Sequence, residues 1–463
     1  MTFVVTTDYQ IDKIAAPNLP LAPREWDQRF QDQYSNVLRL YFNRIDDFIA
    51  RLMATTSTLP VTGTVSLPPT YLDAFGRQRV SQPYTLFDSQ NRYAADNQFD
   101  VATTGTGTTS FLSNEAAVKM EVTAGGVGSV KRQSYRNFPY QPGKGLLVLA
   151  TFVMDSNNSL NLTQRVGYYN DSNGVFFQRI DGTFAFVLRS SVTGSVSDAR
   201  TVTQANWNGD KLDGTGASGY TLDPTKAQIL WMDFEWLGVG SVRCGFIING
   251  QYIVCHTFNN ANLITNVYMT TAILPVRYEI STSSALAASM KAICCSVVSE
   301  GGFEQTSIDH VARRTTSFTN IDTAAFYPIV SIRLASGRTG AVVLPNRTQF
   351  LPLTSQNYEV ALIKNATLTG ATWAATVPSD SNVDYDVAAT AMTGGTIAQT
   401  DYVTSTGSGG TVNTSIATGY NWDLQLGATI AGVSDVYTLG VRTVSGATKG
   451  EGVGSISFYD LTQ

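Results

Sequence analysis

Turn pairs containing glycine recur along most of this chain, and between them lie short runs of apolar, β-branched and aromatic residues. Two examples are sharp. The segments Gly174-Val175-Phe176-Phe177-Gln178-Arg179-Ile180 and Phe184-Ala185-Phe186-Val187-Leu188 flank Asp181-Gly182-Thr183, and Val242 to Ile248 meets Tyr252 to Phe258 across Asn249-Gly250. Asp-Gly and Asn-Gly readily populate the positive-φ positions of type I′ turns, so both sites predict tight antiparallel hairpins. The pattern holds from about Tyr71 to Ile308 and predicts a β-sandwich there.

At 463 residues the chain exceeds what one core supports and predicts several domains. Charged residues make up 14% of it, against about 25% in ordinary globular proteins, and Thr, Ser and 39 glycines take their place. Hydroxyl-bearing and glycine residues suit pleated sheet and tight turns, so helix is expected to be the minor element. A second set of strands is expected after Arg313-Arg314, beginning at Phe326-Tyr327-Pro328-Ile329-Val330 and running through Tyr437-Thr438-Leu439-Gly440-Val441 to the end.

One long helix is predicted, from Arg24 to Met53 after Pro23. Tyr34, Leu38, Tyr41, Ile45, Phe48 and Leu52 alternate spacings of four and three, which is a heptad seam over nearly three repeats. Three readings fit such a seam: packing on the chain's own domain, self-association as a trimer, or docking on another protein. The Thr/Ser/Pro stretch from Met53 to Thr70 predicts an extended, semi-rigid linker. The expected division is 1–55 for the arm and helix, 56–72 for the linker, 73–315 for a first sandwich and 316–463 for a second, smaller one.

Several function classes lack their residues. A net charge of −5 without basic runs gives no footprint for nucleic acid. No apolar run approaches the roughly 20 residues of a membrane span, and the start lacks the pattern of a secretory signal. The thiols Cys244, Cys255, Cys294 and Cys295 have no zinc-site spacing and are expected to be buried and free; as neighbours on a strand, Cys294 and Cys295 should face opposite ways. His256 and His310 lie far from any nucleophile motif, and His256 reads as a satisfied sheet histidine. No cofactor or metal is expected.

The sharpest catalytic candidate is Trp231-Met232-Asp233-Phe234-Glu235-Trp236. Period two puts Asp233 and Glu235 on one strand face about 7 Å apart, while retaining glycosidases hold two carboxyls about 5 to 5.5 Å apart. The segment resembles the Glu-x-Asp-x-Glu strand of jelly-roll glucanases, but Trp231 stands where that strand carries its nucleophile. A structural carboxylate pair is the better reading. The loop Asn206-Trp207-Asn208-Gly209-Asp210-Lys211-Leu212-Asp213-Gly214-Thr215-Gly216 offers an aromatic face and oxygens, so a plain structural loop, a glycan contact and a Ca²⁺ site all fit. Possible glycan-contact residues are thus Trp207, Asp210, Asp213, Asp233 and Glu235.

Arg24-Glu25-Trp26 with Asn36-Val37-Leu38-Arg39-Leu40-Tyr41-Phe42-Asn43 resembles an N-terminal helix of virion structural proteins of marine tailed bacteriophages, cyanophages above all. The resemblance extends to Phe75-Gly76-Arg77-Gln78-Arg79-Val80-Ser81, Tyr140-Gln141-Pro142-Gly143-Lys144, Arg165-Val166-Gly167-Tyr168-Tyr169, and the run from Trp207 through Trp236 to Leu274-Pro275-Val276-Arg277-Tyr278. It covers roughly 24 to 320 and implies a non-enzymatic particle component with a concanavalin-like jelly-roll domain. The expected fold is mainly β: an N-terminal amphipathic helix, that jelly roll, and a smaller C-terminal sandwich. A tail or fibre protein is expected, a homotrimer joined to other virion proteins, located in the virion and able to contact host surface polysaccharide. A head fibre, neck or capsid decoration protein stands beside that reading, as does a carbohydrate-binding module with weak depolymerase activity.

Overall fold

The computed structural model describes residues 25, 27–58, 72, 82–156, 161–304, 307–375, 381–405, 412–415, 422–446 and 448–462. The chain divides into two units, Met1–Leu67 and Pro68–Gln463.

The first unit holds one α-helix, Gln28–Thr58. Asp27 caps it, its carboxylate accepting the Arg29 N–H at 2.8 Å and its carbonyl the Gln31 N–H at 3.1 Å. The helix starts later than the sequence predicts and ends later, entering the segment expected to be an extended linker. Hydroxyl-bearing residues after Met53 lower helix propensity without forbidding propagation, and Pro60 is the first residue that disfavours α geometry in its predecessor. Residues 59–71 of the expected linker lie outside the described residues. Along the seam Tyr34, Leu38, Tyr41 and Ile45 are all half-exposed, and the side chains of Phe48 and Leu52 lie outside the described residues. Leu40, Phe42 and Ile49 are exposed. No described helix is long and apolar enough to cross a membrane.

The second unit is built from antiparallel sheet, as the turn chemistry dictates. Asp181 (φ 50°) and Gly182 (φ 81°) join Gly174–Ile180 to Thr183–Ser190, and Asn249 (φ 51°) and Gly250 (φ 77°) join Val242–Ile248 to Gln251–Phe258. Both turns have the two positive φ values of type I′. An eight-stranded sheet runs Gln251–Phe258, Val242–Ile248, Gln228–Phe234, Gly145–Val153, Ala288–Glu300, Ala117–Val122, Gly107–Leu112, with Pro83–Gln90 also paired to Ala288–Glu300. A seven-stranded sheet runs Ser197–Thr203, Thr183–Ser190, Gly174–Ile180, Leu162–Tyr169, Val276–Thr282, Gly128–Ser134, Phe99–Gly105.

The chain passes from one sheet to the other repeatedly, as in a jelly roll. Leu230, Met232 and Phe234 of one sheet and Phe177 and Phe186 of the other belong to a single core, where the Phe177 and Phe246 rings meet edge to face at 5.1 Å. Each such fully buried side chain contributes about 1.5–3 kcal/mol.

The second sandwich pairs a five-stranded sheet centred on Gly450–Asp460 with a six-stranded sheet centred on Tyr327–Leu334 and Val436–Thr443. Ile329, Ile332, Phe350, Tyr358, Leu439, Ile456 and Phe458 form its core. The strand Ile308–Arg313 pairs with Gly450–Asp460, so this sandwich begins before the 315/316 division read from the sequence. The fold class matches the expectation: mainly β, with an N-terminal helix, a jelly-roll sandwich and a smaller C-terminal sandwich.

All four cysteines are free. Cys244, Cys255 and Cys295 are buried as expected, but Cys294 is exposed, because its neighbour Cys295 takes the inward face of the same strand.

Candidate functional site

On the strand Gln228–Phe234, alternation sends Leu230, Met232 and Phe234 into the core and Trp231 and Asp233 to the opposite face. That face is itself covered, leaving Trp231 and Asp233 each 1% exposed or less, and Glu235, just past the end of the strand, is equally buried. Asp233 stands opposite Arg243 in register and forms an ion pair with it, and Arg243 also donates to the Leu72 carbonyl. The Trp231 indole meets Tyr252 edge to face at 5.4 Å and donates to the Ile253 carbonyl at 3.3 Å. Burial, opposed by N–H donors from Leu237 and Trp236 and reinforced by the charge of Glu235, pushes the Tyr140 phenol up to about 12. Asp233 and Glu235 therefore present no oxygen to a solvent-borne sugar, which corrects their assignment as glycan contacts. Arg243, the residue that makes Asp233 tolerable, carries no sequence signal beyond its place two residues into a strand.

The loop after the short 3₁₀ turn Gln204–Asn206 is fastened from within. Trp207 is 3% exposed, lies 4.8 Å from Phe186 and donates its indole N–H to the Val202 carbonyl at 3.1 Å. It is a core residue and offers no stacking face, a second correction. Asp210 accepts the N–H groups of Leu212 at 2.9 Å and Ser218 at 2.7 Å. Burial opposes its ionisation, but these donors outweigh that and hold its carboxyl below the ordinary value. A Cβ on Gly216 would fall 2.1 Å from the Asp210 carboxylate and would displace it from these donors. Asp213 is exposed and accepts the hydroxyl and N–H of Thr215, which lower its carboxyl. Asp210 thus spends both its oxygens on the loop, and Asp213 spends Oδ1. His256 accepts the Asn208 N–H on Nδ1 at 3.3 Å, and Asn208 in turn holds both the N–H and the carbonyl of Thr257. His256 is the satisfied sheet histidine that the sequence predicts. Among the described residues no group of three or more His, Cys, Asp or Glu gathers to hold a metal.

On the outer face of the seven-stranded sheet, Arg165, Arg189 and Arg277 lie over the rings of Tyr169 and Phe176. Their charges are met locally: Arg189 grips Asp198 through two 2.8 Å bonds, and Arg277 pairs with Asp171 at 2.5 Å. This face is self-satisfied rather than open to a ligand.

Open concave surface lies elsewhere. One groove of about 370 Å³ runs between Leu188, Ala199 and Arg200 and the loop Leu263 to Tyr268. Another of about 480 Å³ lies on the second sandwich, where Trp373 lines it beside Arg333. Trp373 escaped the sequence reading, although a lone indole in a Thr/Ala/Gly stretch is the kind of signal that marks a surface site.

No protein-family model matches the chain, and no curated protein does. Among solved structures it is similar to the Emp47p carbohydrate recognition domain, at 9% identity over 47% of this chain and 97% of that one, TM-score 0.30. It is also similar to the VIP36 exoplasmic/lumenal domain in its Ca²⁺/Man3GlcNAc-bound form, at 10% identity over 49% and 93%, TM-score 0.30. A carbohydrate esterase from the Shiga toxin-encoding bacteriophage phi24B matches at 9% identity over 47% and 99%, TM-score 0.29.

Proposed function

We propose that this chain is a non-catalytic structural subunit of a tailed bacteriophage particle, of tail or fibre type. In this reading the N-terminal helix joins three copies to one another and to neighbouring virion proteins, and the two sandwiches form the body that meets host surface polysaccharide. The observation that carries it is the helix itself: 31 residues bearing a four-three apolar seam from Tyr34 to Ile45, the pattern of a helix that packs against others. The resemblance of residues 24 to 320 to phage virion proteins supports the same reading. Burial of Asp233 and Glu235 supports a body without glycosidase chemistry there.

Mass measurement of the full-length chain in solution should give a trimer, and Leu38→Asp with Ile45→Asp should give a monomer that is absent from particles. A monomeric wild-type chain that still enters particles would remove the helix from its role. Immunogold labelling of intact particles on the head would replace the tail assignment by a head fibre or decoration role.

A further inference from the structure

We infer that the groove beside Trp373 on the second sandwich binds a neutral saccharide. This names the ligand site of a body proposed to meet surface polysaccharide, and so rests on that reading. Ile332 and Leu334 point into the core of the strand Tyr327–Leu334, which sends Arg333 between them to the outer face. There the guanidinium lies over the Trp373 indole, 4.3 Å from its centroid. Asp384, directly opposite Arg333 on the neighbouring strand, approaches the same guanidinium at 3.4 Å. Small residues, Ala335, Ala366, Ala371 and Gly432, hollow part of the remaining surface, with open space over Gly432, and Leu368 and Val433 complete an apolar side. The resulting volume of about 480 Å³ falls inside the range of ligand clefts.

The chemistry selects the ligand class. An aromatic wall offers a surface for the C–H face of a pyranose, and a guanidinium beside a carboxylate offers both donors and acceptors to vicinal hydroxyls. The Arg333 side chain is 34% exposed and lines the groove, so its guanidinium can donate to a ligand there. An anionic ligand would meet Asp384, which already offsets the Arg333 charge. A wholly apolar ligand would strip water from both charged groups and return nothing. A neutral polyol with an apolar face satisfies both walls.

The test uses the full-length protein, free in solution, with maltotetraose, cellotetraose and mannotetraose as neutral probes and tetragalacturonate as the acidic one. Saturation-transfer NMR and tryptophan fluorescence titration report binding. At least one neutral tetrasaccharide should bind, with Trp373→Ala weakening it tenfold or more. Because removing the indole also disturbs Arg333, Ala371→Arg, which fills the groove and keeps the indole, should abolish the same binding with the thermal midpoint unchanged. Absence of neutral binding, binding of tetragalacturonate alone, or undiminished binding by Ala371→Arg would each overturn the inference. Particle incorporation is read separately, so failure of the groove and failure of the virion role give different results.

Discussion

The indole N–H of Trp422, on a short turn of the second sandwich, donates to the hydroxyl of Tyr84 on the first strand of the first sandwich, 2.9 Å away. The same ring meets Phe303 edge to face at 5.2 Å, and the Trp422 carbonyl accepts from Arg136. Around it Gln425 donates to the Asn137 carbonyl at 2.7 Å, and the Ile430 N–H reaches Asp100 at 2.7 Å. Segment 422–435 is thus the clamp between the two cores.

Trp422→Ala removes the centre of that clamp, at a cost near the lower end of the about 3–5 kcal/mol typical of Trp→Ala. The coupling between the two cores weakens, with the Gln425–Asn137 and Ile430–Asp100 bonds still in place, while each keeps its own strands. Differential scanning calorimetry should show the body's unfolding endotherm splitting into two in the variant; an unsplit, unshifted endotherm would contradict the clamp.

Arg243→Ala should be among the most damaging single changes in the first sandwich. It leaves the fully buried Asp233 carboxylate without its cross-strand cation, a loss of about 3–5 kcal/mol by analogy with other broken buried pairs. Replacing both partners, Asp233→Leu with Arg243→Met, should recover most of that loss. Urea midpoints measure both, and a double variant no better than Arg243→Ala would show that the pair is not coupled.

Cys294 should be the one thiol of four that reacts with a disulfide reagent in the native protein. Burial of part of its surroundings raises its thiol above the ordinary value, so labelling should quicken as pH rises through and beyond that value. The other three should react only after denaturation. Two or more fast thiols in the native state would contradict the burial of Cys244, Cys255 and Cys295.

What the sequence makes legible here is local. Asp181-Gly182 and Asn249-Gly250 are read correctly because a type I′ turn is decided by two residues, whereas the strand carrying Asp233 ends at Phe234, one residue short of Glu235. What meets Asp233 on its face of the sheet is Arg243 of the next strand, itself bonded to Leu72, 171 residues away, so exposure is not legible. Trp207 resembles a sugar platform in the sequence for the same reason: an Asn/Asp/Gly loop looks alike whether its aromatic turns out or, as here, in. The strand Ala288–Glu300 pairs with three strands from 83–153, a choice made by shape across more than a hundred residues. The clamp residue Trp422 had no local pattern at all.

A bulge supplies the last expectation. Cys244 pairs with His256 and Gly245 with Val254, leaving Cys255 unpaired between them. The irregularity lets Cys255 face the core while His256 turns toward Asn208 and rests against Phe258, ring centroids 4.5 Å apart. Burial, and then the positive charge of Arg200, lower the His256 imidazole to about 4, and its Nδ1 must be unprotonated to accept the Asn208 N–H. Above about pH 6.5 the imidazole is neutral in folded and unfolded chains alike, and stability is independent of it. As pH falls from 6.5 toward 4, the unfolded chain takes up the proton and the folded one does not, so stability declines through that window and the decline ends below about 4. Thermal midpoints between pH 7.5 and 4 should therefore fall more steeply for the wild type than for His256→Gln, which takes up no proton in this range and keeps an acceptor. The difference between the two curves isolates His256 from carboxylates that titrate lower in the window. Limited proteolysis should find the loop 206–225 opening first in the wild type as pH drops, since Asn208 joins that loop to the strand. Parallel curves between pH 6.5 and 5 would show that the imidazole is not held neutral by the fold.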